Sequence, residues 1–323
     1  MGKAIRFHST GAPDVLRVED VDPGNPGPGT VLVQQTAIGV NYVDICERSG
    51  RYAVPLPAGL GKEAAGIVEA IGEGVSTVRP GDRVAYAGGP AGAYAQQRVI
   101  PADRLIALPP GITERDAAAV LLKGLTARYL VQHVHPIRHG ETVLLHAAAG
   151  GVGLITLQWL KSLGATVIGT VSSSAKAEVA RTHGCDHVVV YTREDVRERV
   201  RTLTRGEGVN VVYDGVGRTT MDASLVCLAQ RGTLVSFGDA SGIPLPLDMA
   251  KLAERSLTVT RPTLRAYVSQ RAELESGVNE VFGMVLRGTI RVTIDQTHAL
   301  RDAASAHRAL EERATTGSLL LVP

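Results

Sequence analysis

The sequence predicts an α/β protein in which a doubly wound parallel sheet is joined to a β-rich domain. Three observations predict it. A glycine-rich turn, Ala147-Ala-Ala-Gly-Gly-Val-Gly153, lies between an apolar strand-like run and a segment with helical spacing. From that turn to Phe237, strand and helix patterns alternate. The chain before it has a different texture, with short β-rich runs broken by Pro/Gly turns.

In chain order, residues 31–37, 65–71 and 82–85 read as strands. Turn signals separate them at Pro23-Gly-Asn-Pro-Gly-Pro-Gly29 and Arg79-Pro-Gly-Asp82, as in a barrel-like β domain. Helical spacing appears at 113–122 and 125–134. Residues 142–146 read as a buried strand and 152–163 as a helix, so Gly150, Gly151 and Gly153 fall where the chain must turn tightly. Further strands are expected near 166–170, at 188–191 and 209–213, and near 233–237, with helices from Ser174 and over 194–204. Crossovers between parallel strands are right-handed, so this alternation resolves into a doubly wound sheet. Beyond Leu264, residues 268–287 and 300–313 have amphipathic spacing and 317–322 read as a closing strand, which returns the chain to the first domain.

The turn carries chemistry. Gly150 lets the backbone approach a pyrophosphate and Gly153 lets the helix pack closely on the sheet, while Ala148 stands where the common pattern has its first glycine. Phosphates there meet free N–H groups and the positive end of a helix dipole. About 20 residues on, a dinucleotide fold that prefers NAD places a carboxylate for the ribose 2′-hydroxyl. Here the chain reads Val171-Ser-Ser-Ser-Ala-Lys176, three hydroxyls and an ammonium with no carboxylate, which favours NADPH. The serines also make good helix N-caps, a role compatible with phosphate binding.

Composition narrows the rest. The 323 residues exceed one typical domain, and 44% hydrophobic content is ample for a core. Lys+Arg 34 against Asp+Glu 32 leaves a charge of +2 with both signs interspersed, so neither a nucleic-acid stripe nor a polybasic membrane patch stands out. No run of about 18 apolar residues and no signal-peptide core is present, and a cytoplasmic location is expected. Cys46, Cys185 and Cys227 are too few and too dispersed for a disulfide framework or a four-cysteine zinc site.

Gly39-Val-Asn-Tyr-Val-Asp44, Gly59-Leu-Gly-Lys-Glu-Ala-Ala-Gly66, Lys123-Gly-Leu-Thr126, the glycine turn, Tyr213-Asp-Gly-Val-Gly217 and Ser236-Phe-Gly238 extend the pattern along the chain. Together they closely resemble the zinc-free, zeta-crystallin-like quinone oxidoreductases of the medium-chain dehydrogenase/reductase superfamily. The resemblance runs from the N-terminus to Arg313-Ala-Thr-Thr-Gly-Ser-Leu319. It implies a GroES-like catalytic domain at 1–124 and 266–323, a Rossmann NADPH-binding domain at 125–265, and a homodimer. Zinc alcohol dehydrogenases of this superfamily have a Cys at the position of Asn41 and a His at that of Lys62, and carry a cysteine-rich loop after the position of Gly81-Asp-Arg-Val84. Two of the usual catalytic ligands are replaced here, and a catalytic zinc needs three from the protein.

Without a Lewis acid the acceptor must already be electrophilic, as a quinone or an α,β-unsaturated carbonyl is, and the protein's task is orientation. The resemblance places Asn41 and Thr126 at the nicotinamide end, Tyr42 beside them, and Tyr52 in the acceptor cleft as a hydrogen-bond donor. It sets Gly150, Gly151, Val152, Ser172, Lys176 and Tyr191 around the rest of the cofactor, with Phe237, Gly238 and Ser318 closing over it. Each residue also has a plainer reading. Tyr42 and Tyr52 can pack with wet hydroxyls, Phe237 can be core, and Tyr191 can cap the sheet rather than stack on adenine. An isolated lysine such as Lys123 is most often a solvated charge, Lys62 beside Glu63 reads as an ion pair or an attractor of acidic substrate, and Arg48 as rim charge or a support for an acceptor oxygen. Cys46 stands where relatives have an aromatic residue, with a small buried hydrophobe as its plain role. His133 and His135 read as helix-end histidines. Two other functions stay open: an NADPH-dependent 2-alkenal or enone reductase, and a non-catalytic, crystallin-like protein that binds NADPH and RNA. The near-neutral charge opposes the RNA role.

Overall fold

The computed structural model describes all 323 residues and divides into two compact units. The first comprises Met1–Lys123, Val268–Gly288 and Val292–Pro323, and the second Gly124–Tyr267 with Thr289–Arg291.

The first unit opens with β1 (Gly2–Phe7), β2 (Arg17–Val21) and β3 (Thr30–Val40), then the short helix α1 (Tyr42–Arg48). Next come β4 (Ala58–Gly59), β5 (Glu63–Ile71), β6 (Arg83–Ala87), β7 (Gln97–Pro101) and β8 (Ile106–Ala107). The expected strands at 31–37, 65–71 and 82–85 are the middle members of this set. β3 is long enough to pair with both β5 and β7, and shifts register against β5 between Gln35 and Ala37. Gly66 lies at that crossing, where a Cβ would stand 2.1 Å from the Gln34 carbonyl oxygen. Where two helices were expected at 113–122 and 125–134, the chain forms one, α2 (Glu114–Arg128), which runs on as a π-helical turn at Tyr129–Val134. Gly124 weakens a helix without ending it when its neighbours, here Leu121, Leu125 and Ala127, are buried.

The second unit follows the βα alternation. It contains β9 (Thr142–Leu145), α3 (Gly151–Ser162), β10 (Thr166–Val171), α4 (Ser174–Thr182), β11 (His187–Val190), α5 (Val196–Leu203), β12 (Val209–Asp214), α6 (Met221–Cys227), β13 (Leu228–Ser236), α7 (Ala250–Ala253) and β14 (Thr258–Thr260). The strands form one parallel sheet in the order β11-β10-β9-β12-β13-β14. Helices cover both faces of such a sheet, so its central strands are apolar on both sides: Val143, Leu144, Leu145, Val211 and Val212 are fully buried. Strand order reverses between β9 and β12, and the crevice outside the carboxyl ends of those strands is where this fold binds ligands.

After α8 (Leu264–Tyr267), the helix expected at 268–287 begins three residues late as α9 (Arg271–Leu286). The Arg271 guanidinium is drawn onto the carbonyls of Asp103 at 2.6 Å and Leu105 at 2.8 Å. β15 (Ile294–Ala299), α10 (Ala303–Glu311) and β16 (Ser318–Val322) complete the first unit, whose main sheet runs β15-β16-β3-β5-β6-β8 with β7 against β3. Its core is built from Ile5, Phe7, Val33, Leu60, Tyr94 and Leu321.

Candidate functional site

The cofactor-side residues gather at the carboxyl edge of the parallel sheet. Ala147 leaves β9 with φ 52°, and Gly150 caps α3. A Cβ on Gly153 would lie 2.2 Å from the Ala147 carbonyl oxygen, so only glycine lets the first turn of α3 seat this close to the strand end. Gly150, Gly151 and Val152 thus sit at a helix N-terminus, where the Gly150 N–H is taken by the Ala147 carbonyl at 2.9 Å and the first N–H groups of α3 are left for an anion. No bulky side chain stands in this cradle, and it fits a dinucleotide pyrophosphate.

One strand over, Ser172 follows β10, Ser173 caps α4 by accepting from the Lys176 N–H, and Lys176 lies in the helix's first turn. The N-cap role expected for the serines is therefore real and falls to Ser173. Tyr191 follows β11, 39% exposed, and its N–H donates to the Val171 carbonyl at 3.1 Å, which brings it alongside the serines. Arg193, a residue sequence reasoning missed, donates to Ser174 Oγ at 3.2 Å. Lys176, Arg193 and the three serine hydroxyls are thus grouped beyond the ends of β10 and β11. The signal for Arg193 was its position just beyond the neighbouring strand.

Phe237 and Gly238 leave β13 half-buried and pack on the Gly215 loop, where a Cβ on Gly238 would lie 2.7 Å from the Gly215 carbonyl oxygen. A directed chain of hydrogen bonds anchors that loop. Ser224 Oγ donates to Asp214 Oδ2 at 2.8 Å, so its oxygen must accept from His146 Nε2 at 3.0 Å, and the bare Nδ1 accepts from Thr170 Oγ1 at 2.9 Å. Burial favours the neutral imidazole this chain requires, holding the His146 pKa below its ordinary value. Asp214 Oδ1 takes the N–H groups of Val216 and Gly217 at 2.8 and 3.0 Å. The network ties the ends of β9, β10 and β12 together under the cradle.

The residues expected at the nicotinamide end lie mostly in the first unit. Asn41 is buried at the N-cap of α1, and its Nδ2 donates to Glu63 Oε2 at 2.9 Å. Glu63 is fully buried at the start of β5, where it also accepts from Lys123 Nζ at 3.3 Å and from the Leu122 N–H at 2.6 Å. A carboxylate only accepts, so Glu63 dictates which end of the Asn41 amide faces it. Gly39 makes room: a Cβ there would stand 2.4 Å from Glu63 Oε2 and 2.3 Å from the Ala118 carbonyl oxygen. Tyr42 and Tyr52 are half-buried, Tyr42 under the Arg51 guanidinium at 5.8 Å and Tyr52 tied by its N–H to the Cys46 carbonyl at 2.9 Å. Ser318, at the head of β16, donates its hydroxyl to the Ala119 carbonyl at 2.7 Å. Thr126 is buried in the last turn of α2, in the stretch that belongs to the second unit.

Three readings of charge need correction. Lys123 is buried on Glu63 and is not a solvated surface charge. Lys62 pairs at 2.7 Å with Glu47, not with Glu63, because neighbours along an extended chain point to opposite sides. Arg48 is neither rim charge nor acceptor support: it is 1% exposed and bound to Glu311 at 2.5 Å and the Gly11 carbonyl at 3.1 Å. Cys46 takes its plain role as a small buried residue. No group of three or more His, Cys, Asp or Glu side chains is placed to hold a metal ion.

Two family models match the chain, one described as an alcohol dehydrogenase GroES-like domain over residues 27–110 and one as a zinc-binding dehydrogenase over 151–280. A quinone oxidoreductase of Pseudomonas aeruginosa is 50% identical, with 100% of each chain covered. The chain belongs to the quinone oxidoreductase family. It thus falls in the medium-chain dehydrogenase/reductase superfamily, with a GroES-like and a Rossmann-type domain. The structure of an Escherichia coli quinone oxidoreductase complexed with NADPH is 46% identical, covers 99% of this chain and 100% of its own, and superposes with a TM-score of 0.97. A 2-haloacrylate reductase of a Burkholderia species is 43% identical over 100% of this chain and 99% of its own. The zinc named by the second family model does not suit the residues present: Asn41 and Lys62 are not zinc ligands in this chemistry, and the Glu63 carboxylate is taken up by an amide and an ammonium.

Proposed function

We propose that this protein reduces quinones with NADPH by hydride transfer without a metal. The observation that carries the reading is the Asn41, Glu63 and Lys123 arrangement, which spends the buried carboxylate on orienting an amide where a metal enzyme would need ligands. Polarisation of an alcohol or plain ketone is then unsupported, and an acceptor that is already electrophilic is required. Membership of the quinone oxidoreductase family supports the quinone as that acceptor.

Bound NADPH supplies the hydride from its nicotinamide ring. Gly150, Gly151 and Val152 hold the pyrophosphate, Ser172, Lys176 and Arg193 the 2′-phosphate, and Tyr191 the adenine. Phe237 and Gly238 of the second unit and Ser318 of the first are assigned to the cofactor as well. Asn41, Tyr42 and Thr126 orient the nicotinamide end, and Tyr52 donates to the acceptor oxygen as it gains charge. The residual proton comes from solvent. A second reading, reduction of an α,β-unsaturated carbonyl, is favoured by the 43% identity to the 2-haloacrylate reductase.

Anaerobic oxidation of NADPH and NADH by metal-stripped protein, with a para-quinone, an ortho-quinone and a 2-alkenal offered separately, tests the reading. Fast NADPH oxidation with the quinones is expected. Turnover of the alkenal alone would move the protein to the second reading. In the same assay Lys176→Ala should weaken NADPH about tenfold or more and leave NADH nearly unchanged, since one charge-assisted contact to phosphate is lost. Equal losses would show that the 2′-phosphate lies elsewhere.

The functional unit is proposed to be a homodimer that acts in the cytoplasm. β14 is an end strand of the parallel sheet, paired on one side only, and Ile243, Leu245 and Met249 are exposed in the same unit, with Leu245 67% and Met249 70% exposed. Equilibrium sedimentation is expected to give a dimer that Leu245→Asp weakens; a monomer for the unaltered protein would remove the proposal. Three buried free cysteines are compatible with a reducing compartment.

A further inference from the structure

Behind α1 the first unit holds a cluster of buried polar side chains that the hydride chemistry does not use. Asp44 and His307 are fully buried, and Arg48 and Tyr94 are each 1% exposed. Tyr94 belongs to the apolar core with Phe7, Leu60, Ala303 and Ala306, and apolar side chains in place of the buried charges would avoid the cost of desolvating them.

The donor and acceptor inventory fixes the direction of every bond in the cluster. Asp44 Oδ2 accepts from the Asn41 backbone N–H at 2.9 Å and from the Tyr94 hydroxyl at 3.0 Å. The Tyr94 proton is thereby used, so its oxygen accepts from His307 Nε2 at 3.1 Å. His307 Nδ1 is then bare and faces Arg48 Nη1 at 3.5 Å, a donor that also binds Glu311 at 3.1 Å. Burial and the Arg48 charge push the His307 pKa down to about 3, in keeping with the neutral ring this order requires. The chain therefore runs from Arg48 through His307 and Tyr94 to Asp44, and ends on the backbone of Asn41.

We propose that Asp44 is a positioning residue for the Asn41 and Tyr42 turn, held by the Arg48, His307 and Tyr94 relay, and that its ionisation tightens cofactor binding. The proposal rests on the assignment of Asn41 and Tyr42 to the nicotinamide end. Asp44 Oδ1 is buried with no hydrogen-bond partner, which leaves one oxygen to take up a proton while the other keeps its two donors. A protonated carboxyl is the weaker acceptor at Oδ2, so the Asn41 N–H is held less firmly in that state. The groups facing Asp44 are Glu47 on its own helix, Lys62 from the segment before β5, Tyr94 from the segment before β7, and His307 behind Tyr94 on α10. Burial, with help from Glu47 and against the Asn41 and Tyr94 hydrogen bonds and Lys62, moves the Asp44 pKa up to about 7. The carboxylate therefore predominates above neutral pH and is lost as pH falls.

The test is the dissociation constant and KM of NADPH and NADH between pH 5.5 and 9 for the unaltered protein, Asp44→Asn and Tyr94→Phe, with a thermal melt of each. NADH lacks the 2′-phosphate and so removes that group's own titration from the comparison. The unaltered protein should bind both cofactors about tenfold more weakly as pH falls through neutrality, the size expected for weakening one hydrogen bond to a charged group. Asp44→Asn should flatten that profile with kcat changed much less than KM, and Tyr94→Phe should shift its midpoint. Identical profiles in the unaltered protein and Asp44→Asn would overturn the proposal. If Tyr94→Phe fails to fold, Asp44→Asn, close in shape and without the buried charge, still decides. Binding is measured directly, so an unaltered protein that binds NADPH but reduces no quinone would fail the functional reading and leave this test standing.

Discussion

Gly153→Ala is expected to lower NADPH affinity about a hundredfold or more while the chain still folds. The new methyl would stand 2.2 Å from the Ala147 carbonyl oxygen and 2.9 Å from the Ala148 carbonyl carbon, and both are backbone atoms with no rotamer to yield. Relief requires α3 to move away from the end of β9, and the N–H groups aimed at the pyrophosphate move with it. Overpacking of this kind costs about 1–3 kcal/mol of stability, whereas a shift on the order of 1 Å at a binding site is felt about a hundredfold. Titration of NADPH fluorescence separates the two effects when read beside a thermal melt. Affinity within threefold of the unaltered protein would mean that the turn relaxes locally and that close packing of α3 is not what shapes the cradle.

The second large effect is expected at Lys123. Lys123→Met leaves the fully buried Glu63 carboxylate with only the Asn41 amide and the Leu122 N–H for company. Removing one partner of a buried pair typically costs about 3–5 kcal/mol, because the remaining charge is still desolvated. For 323 residues unfolding together, that corresponds to a fall in melting temperature of roughly 4–8 °C. Glu63→Gln in the same chain should recover much of the loss, since the uncompensated charge disappears with it. Additive losses in the double-variant cycle would show that the two side chains do not act as a pair. The kcat/KM for NADPH oxidation should fall along with stability in Lys123→Met, because the carboxylate that orients the Asn41 amide is disturbed.

What could be read from the sequence depended on how locally each feature is encoded. The strands and helices expected between Thr142 and Ser236 are bounded by their own punctuation and mostly end within one or two residues of the observed ones, but α6 was not expected and β13 begins five residues early. β4, β8 and β14 have only two or three residues each and no alternation long enough to register. The two helical patterns at 113–122 and 125–134 stop short of each other at Lys123 and Gly124, and the burial of Leu121 and Leu125 that carries one helix across them is not visible locally. The glycine turn and the Ser172, Lys176 and Tyr191 group could be placed because each follows a strand directly. Partners of the buried charges could not. Glu63 meets Lys123 and Arg48 meets Glu311 across long stretches of chain, and adjacency in the sequence pointed instead to Lys62.

The chain order of the two units has a consequence for biosynthesis. β16 pairs antiparallel with β3, while every strand of the parallel sheet lies between them along the chain. A ribosome delivers Thr142 through Thr260 in one uninterrupted run, so the middle of the protein can complete its pairing during translation. Until β16 is made, the Ile38–Val40 end of β3 lacks its antiparallel partner, while the rest of the strand can already pair with β5 and β7. The first unit therefore closes after the parallel sheet has been made, and the Ile38–Val40 edge of β3 is the surface to protect in the nascent chain until then.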